Sequence, residues 1–150
     1  NDARKGRFVS VVRDVRSQEE YELPLPIYAL TPDGKWAVTT NFARLHRARP
    51  GYGYCALPDP TEDDPAPSND GIRLMNVEDG THSLIITYRQ MAGFRPKESM
   101  KNAVHWFNHL QFSPDGSRFI FLHRWAQTLV PGSARPGGGF GPVSSFFIST

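Results

Sequence analysis

The chain has 150 residues, and its 17 Lys and Arg against 15 Asp and Glu give a formal net charge of +2. A charge this small argues against nucleic acid or an anionic membrane as a partner, and we expect neither. No apolar run reaches the roughly 18 residues of a membrane span, and the 13 Gly and 13 Pro indicate turns and strands rather than long helices.

The predicted elements begin with two strands, at residues 7–12 and 20–23. A Pro-Asp-Gly turn at residues 32–34 then joins two further strands, and the same pattern returns at residues 114–116. Pro presets the first dihedral angle of the turn, Asp bonds the backbone, and Gly accepts the positive φ that closes it. Each copy therefore predicts a β-hairpin.

Between the two copies, residues 72–77 and 83–88 flank a Glu-Asp-Gly turn and predict another hairpin. Two consecutive hairpins form a four-stranded antiparallel meander, which is the structure of one β-propeller blade. A last strand is predicted at residues 144–149. The pattern thus predicts an all-β fold, a β-propeller segment with about two blades' worth of strands.

This segment would begin and end in the middle of a blade. Residues 1–26 would be the end of one blade, residues 27–88 a full blade with an inserted loop at residues 42–70, and residues 109–150 the start of the next. Cut blades have unpaired edges, so we expect a longer chain, self-association through these edges, or an open fragment.

Turns in a meander alternate between the two ends of its strands. The short turns therefore share one end, and the long connections at residues 42–70, 89–108 and 125–142 share the other. Long ordered connections are often functional, so we expect the site at this end. The glycine-rich residues 136–141 lack the Lys-Ser or Lys-Thr of a phosphate-binding loop and are expected to be a flexible connector.

The connection at residues 42–70 starts with basic and aromatic residues and continues with an acidic, Pro-rich stretch. Arg forks and Tyr rings suit carboxylates, phosphates and sugar rings. The alternative is a solvated loop in which Arg pairs with nearby Asp and Glu. The predicted ligand-binding residues, including one from the later blade, are Arg44, His46, Arg47, Tyr52, Tyr54 and Arg124.

His105, His109 and His123 form the candidate metal site. His109 and His123 are each seven residues from Gly116, so they would face each other across a hairpin, with His105 joining from the connection. Three neutral imidazoles around an open position suit zinc or another divalent transition metal. The alternative is that these histidines only bond neighbouring backbone groups.

The two Pro-Asp-Gly copies resemble the TolB-type, WD40-like (PD40) propeller repeat, and this similarity covers most of the chain. More narrowly, His-Leu-Gln-Phe-Ser-Pro at residues 109–114, followed by Phe-Leu-His at residues 121–123, resembles the oligogalacturonate lyase family. That resemblance implies a propeller that binds a divalent metal, typically manganese, through His109 and His123. It also implies cleavage of uronic-acid oligomers by β-elimination. Arg124 stands where that family usually has an acidic residue.

Three functions follow as expectations. The first is a propeller directed at an anionic oligosaccharide, with metal-dependent lyase activity. The second is a non-catalytic propeller that binds a protein or a glycan through the same connections. The third is a partial propeller without an activity of its own.

Overall fold

A computed structural model describes residues 1–127, 129 and 144–149, and in this part the chain forms three antiparallel sheets and two short α-helices. The strands are β1 (Asp2–Arg4), β2 (Arg7–Arg13), β3 (Glu20–Leu23), β4 (Ala29–Leu30), β5 (Trp36–Thr39), β6 (Gly71–Asn76), β7 (His82–Thr87), β8 (Val104–Phe112), β9 (Arg118–Ala126) and β10 (Ser144–Ser149). The helices are α1 (Phe42–Ala48) and α2 (Tyr88–Gly93), and a 3-10 turn follows at Glu98–Met100. The prediction of a mainly antiparallel β structure is confirmed.

The middle sheet is the predicted four-stranded meander, with the strand order β4-β5-β6-β7. Leu30 pairs with Ala37 across its first turn, and Met75 pairs with His82 across its last. Gly34 has a φ of +72°, the left-handed conformation that a side chain disfavours and that this tight turn requires. The two hairpins predicted to contain these turns are therefore present.

The two Pro-Asp-Gly turns repeat in their hydrogen bonds as well as in their sequence. The carboxylate of Asp33 accepts from the Thr31 hydroxyl at 2.7 Å, and that of Asp115 accepts from the Ser113 hydroxyl at 2.6 Å. The bond from Ser113, followed by bonds from Ser117, lowers the pKa of Asp115 to about 2. The repeated sequence thus builds the same turn because each Asp binds the hydroxyl two residues before it.

The flanking sheets have three described strands each. The first has the order β1-β2-β3, of which β1 was not predicted, and the third has the order β10-β9-β8. Strand β8 begins at Val104, so the connection predicted to extend to residue 108 ends earlier. The extra residues form strand because Trp106 and Phe107 are buried in the core.

The insertion at residues 42–70 was predicted as a loop, but it opens with α1. The side chain of Asn41 accepts a hydrogen bond from the backbone N–H of Arg44 and caps the helix. Phe42, Leu45 and Ala48 are buried, and their spacing of three residues places them on one helical face. The loop prediction is therefore wrong for residues 42–48.

Each sheet packs against the next one along the chain. Leu23 of β3 packs with Ala37 and Met75 of the middle sheet. A larger core joins the middle sheet, α1 and the third sheet; among its buried residues are Val38, Phe42, Leu45, Ile72, Ile86, Phe107, Phe119 and Phe121. Consecutive sheets are thus held together by apolar burial.

Two of the three long connections meet at one end of the sheets, as predicted. The N–H of Tyr88 donates to the carbonyl of Asp70 at 3.1 Å, and the N–H of His105 donates to the carbonyl of Pro65 at 2.9 Å. Most of the third connection, with the glycine-rich residues 136–141, lies outside the described residues. Within the described part of the chain, the helices are too short to cross a membrane.

Candidate anion-binding site

His109 lies in a β-bulge of β8. The pairing of β8 with β9 shifts register between Asn108 and Gln111, and within this irregularity His109 has a φ of +54°. Its backbone N–H donates to the hydroxyl of Tyr28 at 2.8 Å, and its side chain is exposed. A left-handed conformation is costly for a residue with a side chain, and such strain, like bulges, concentrates at functional sites.

The predicted pairing of His109 with His123 is wrong. His123 pairs with Phe107, because the turn pairs Phe112 with Phe119, one residue away from the predicted register, and the bulge shifts the pairing by one residue more. Instead, His105 Nδ1 and His123 Nε2 are 2.8 Å apart and hydrogen-bonded, with both side chains buried. The structure therefore brings together two of the three predicted histidines and leaves His109 at the surface.

The buried histidine pair is uncharged at neutral pH. Burial lowers the pKa of His105 to about 4 and outweighs the bond to the Met100 carbonyl, which raises it; the charge of Arg44 lowers it slightly further. Burial, followed by His105, lowers the pKa of His123 to about 3. One imidazole donates to the other, and the ring of Trp125 packs against both.

The three histidines do not converge on one point as the metal prediction requires. Across the described residues, no group of three or more His, Cys, Asp or Glu side chains is arranged to hold a metal ion. Nitrogens of His105 and His123 that could serve as ligands are instead bonded to each other. Metal analysis of the purified protein is the direct test of the metal prediction.

Basic side chains gather around Tyr52 beside the bulge. The guanidinium carbon of Arg49 lies 4.6 Å from the centroid of the Tyr52 ring, and the His109 ring meets it edge-on at 6.2 Å. Burial, then the charges of Arg124 and Arg49, lowers the pKa of His109. We call Arg49, Tyr52, His109 and Arg124 the arginine–histidine cluster.

The arginines of this cluster are close enough to repel each other. Burial and the charge of Arg49 lower the pKa of Arg124, which projects from β9. An anion placed among like charges removes their repulsion and gains attraction from each. The arrangement is therefore suited to a carboxylate, for which guanidinium groups offer paired donors.

Arg44, which was predicted to bind a ligand, is instead a core residue with 0% of its surface exposed. Its Nε donates to the carbonyl of His105 at 2.7 Å. Its terminal nitrogens donate to the carbonyls of Thr61, Asp64 and Pro65 at 3.0, 2.9 and 2.6 Å. Arg44 thus links the insertion to β8, and these contacts favour a structural role over the predicted ligand role.

Arg47 and Tyr54 also stabilise the insertion. Arg47 donates to Asp59 at 3.0 Å, which is the pairing with nearby acids that the alternative prediction described. The ring of Tyr54 stacks on Phe42 at 4.4 Å, and its hydroxyl accepts from Asn1 at 2.9 Å. These contacts favour a structural role for both residues.

Of the other three predicted ligand-binding residues, two lie in the arginine–histidine cluster and one does not. Tyr52 and Arg124 lie in the cluster, whereas His46 is half-buried on α1. Arg49 was missed, although it belongs to the same basic run as Arg44 and Arg47. The signal was its position one residue beyond the helix, where a side chain leaves the buried helical face.

A separate cleft of about 590 Å³ lies at the same end of the sheets. Its walls include Phe8, Pro24 and Pro58, and its polar lining includes Asn41 and Asp70. Its volume is in the range of small-molecule pockets. Sequence reasoning missed it because its walls come from segments far apart in the chain.

No family model, curated protein or solved structure matches the chain. The resemblance to PD40 repeats and to the lyase family therefore stays a prediction from the quoted residues, and function is argued from the site itself.

Proposed function

We propose that the chain is part of a β-propeller that binds a carboxylate-bearing saccharide at the arginine–histidine cluster. The observation that carries the proposal is the gathering of Arg49, His109 and Arg124 around the ring of Tyr52, which is 48% exposed. The guanidinium groups would bind the carboxylate, and the aromatic ring would pack against the apolar face of a sugar.

The order of the sheets supports the propeller. Three antiparallel sheets follow each other along the chain, the middle one is a four-stranded meander, and each packs on the next. Face-to-face packing of successive meanders is how propeller blades are arranged. In that architecture the cluster would lie at the end of the ring that carries the long connections.

The binding proposal predicts that Arg124→Gln and Arg49→Gln each weaken the affinity for trigalacturonate about 10- to 100-fold. Each removes a charge-assisted hydrogen bond to the carboxylate, worth about 1.5–3 kcal/mol. Titration calorimetry at low ionic strength measures the effect. The matched control is Arg118→Gln, because exposed Arg118 begins the same strand at its opposite end and should leave the affinity unchanged.

Neutral galactotriose serves as the uncharged ligand. The proposal expects the wild-type protein to bind trigalacturonate and to bind galactotriose far more weakly. Equal affinity for the two, or an Arg118→Gln variant as defective as Arg124→Gln, would reject it.

Two substitutions that remove the His109 imidazole separate its effect on binding from the effect of the backbone conformation on stability. Since His109 has a positive φ, His109→Gly is expected to be more stable than His109→Ala by about 1 kcal/mol in urea unfolding. Both variants should lose affinity for trigalacturonate, because the imidazole is absent from each. Equal stability of the two variants would mean that residue 109 is not held in the left-handed conformation.

A second candidate function is β-elimination on the bound uronate. Burial, followed by the charges of Arg124 and Arg49, lowers the pKa of His109, which favours a neutral imidazole at pH 7. Such an imidazole would take the proton beside the carboxylate, and that electron pair would form the carbon–carbon double bond as the glycosidic oxygen leaves. Absorbance of the unsaturated product tests this function. Binding without product leaves the non-catalytic alternative.

A further inference from the structure

Two buried side chains beside the cluster have polar atoms without a hydrogen-bond partner among the residues that the structure describes. They are Asn108, at both Nδ2 and Oδ1, and Trp106, at Nε1. Asn108 is 0% exposed and Trp106 is 3% exposed. Burying such groups unpaired is unfavourable, and the rare examples in native proteins commonly mark a bound molecule or a functional role.

Both side chains lie near Arg124. Trp106 is directly opposite Arg124 in the β8–β9 register, and Asn108 is two residues further along β8, next to His109. Alternate residues of a strand share a face of the sheet, and cross-strand neighbours have Cβ atoms about 5 Å apart. Asn108 and Trp106 are therefore within reach of a ligand held by Arg124.

We propose that Asn108 and Trp106 complete the ligand site and recognise uncharged oxygens of the same saccharide, an inference that rests on the proposed function. The Asn108 amide both donates and accepts, which matches a hydroxyl group that does the same, and the indole N–H donates to a second oxygen. A hydroxyl near a carboxylate is the pattern of a uronic acid. These two residues would thus distinguish uronates from other small anions.

Because Asn108 and Trp106 are buried, ligand entry requires neighbouring side chains of the cluster to move. The ring of Tyr52 is 48% exposed and contacts Arg49 and His109. Contacts of this kind at a half-exposed ring are weak, so the cost of displacing the Tyr52 side chain is small. The hydrogen bonds that Asn108 and Trp106 lack in the free chain would then form with the ligand.

The proposal predicts opposite effects of Asn108→Leu on stability and on binding. Leu has a similar size and no unpaired polar atom, so the unfolding midpoint should rise by about 2–4 °C. The Kd for trigalacturonate should rise about tenfold, because the amide no longer meets the ligand. Trp106→Phe, which removes the indole N–H, should weaken binding in the same direction.

The matched control is Asn76→Leu. The Asn76 side chain accepts a hydrogen bond from the N–H of Glu78 at 2.8 Å in the short turn, so its loss should lower the midpoint and leave the Kd unchanged. An unchanged Kd in Asn108→Leu overturns this inference while the proposed function stands. A lowered midpoint in Asn108→Leu also overturns it, because the amide would then already be bonded within the protein. No binding by the wild-type protein overturns the proposed function itself.

Discussion

Arg44→Met is expected to destabilise the protein by about 3–5 kcal/mol, because it removes the cation from a buried network and leaves its acceptors unpaired. Arg44 donates from all three guanidinium nitrogens, and its carboxylate neighbour Asp59 is itself buried. Burial favours a raised pKa for Asp59, but bonds from Thr61 and the charge of Arg44 bring it below its ordinary value. Urea unfolding at pH 7 measures the loss.

A lysine cannot replace this arginine. Arg44→Lys keeps the charge but has one nitrogen in place of three, so most of the destabilisation should remain. The control is Arg89→Met, because Arg89 pairs with Asp64 at the surface, with 63% of its side chain exposed. Its loss should cost less than about 1 kcal/mol. Equal destabilisation by Arg44→Met and Arg89→Met would contradict the structural role of Arg44.

The stability of the protein is expected to fall by up to about 4 kcal/mol between pH 7 and pH 5, owing to the buried histidine pair. Below the ordinary histidine pKa of 6.5, the unfolded chain binds protons at both residues. In the folded chain His105 and His123 stay neutral until about pH 4 and about pH 3. The unfolded state therefore binds more protons, and each histidine contributes about 2 kcal/mol of the loss at pH 5.

Two substitutions test whether the buried histidine pair causes this loss of stability at pH 5. His123→Phe removes one of the two titrating groups, so the difference between pH 7 and pH 5 should shrink to about half. His82→Gln changes an exposed histidine at the start of β7 and should leave the contribution of the buried pair in place. Urea unfolding of each variant at the two pH values, at constant ionic strength, provides the comparison. A wild-type stability that is equal at both pH values would show that the pair is not held neutral.

The turns could be predicted because each is specified by a few adjacent residues. Pro32 and Gly34 define the first turn, and Asp33 bonds to the neighbouring hydroxyl whatever the rest of the chain does. A short turn can join only antiparallel neighbours, so the order of the middle sheet followed from its turns. The spacing of the apolar residues of α1 is also helical, but the Arg and Tyr residues among and after them equally suit a binding loop.

The site was less predictable, because small changes of geometry decide it. Arg44, Arg47 and Arg49 belong to one basic run, yet the first is buried, the second half-buried and the third stacked on Tyr52. Successive residues of an α-helix are about 100° apart around its axis, so side chains a few positions apart have different surroundings. The bulge at His109 lacks the glycine that usually announces a positive φ.

By itself, the sequence determined the antiparallel strands, their turns and the end of the sheets at which the long connections lie, because these depend on contacts between near neighbours. Only the tertiary structure decided which histidines meet and which arginine is buried. A single extra residue in β8 changes every pairing beyond it, and burial against distant segments separates Arg44 from Arg49. Such long-range contacts are not encoded in any one stretch of residues.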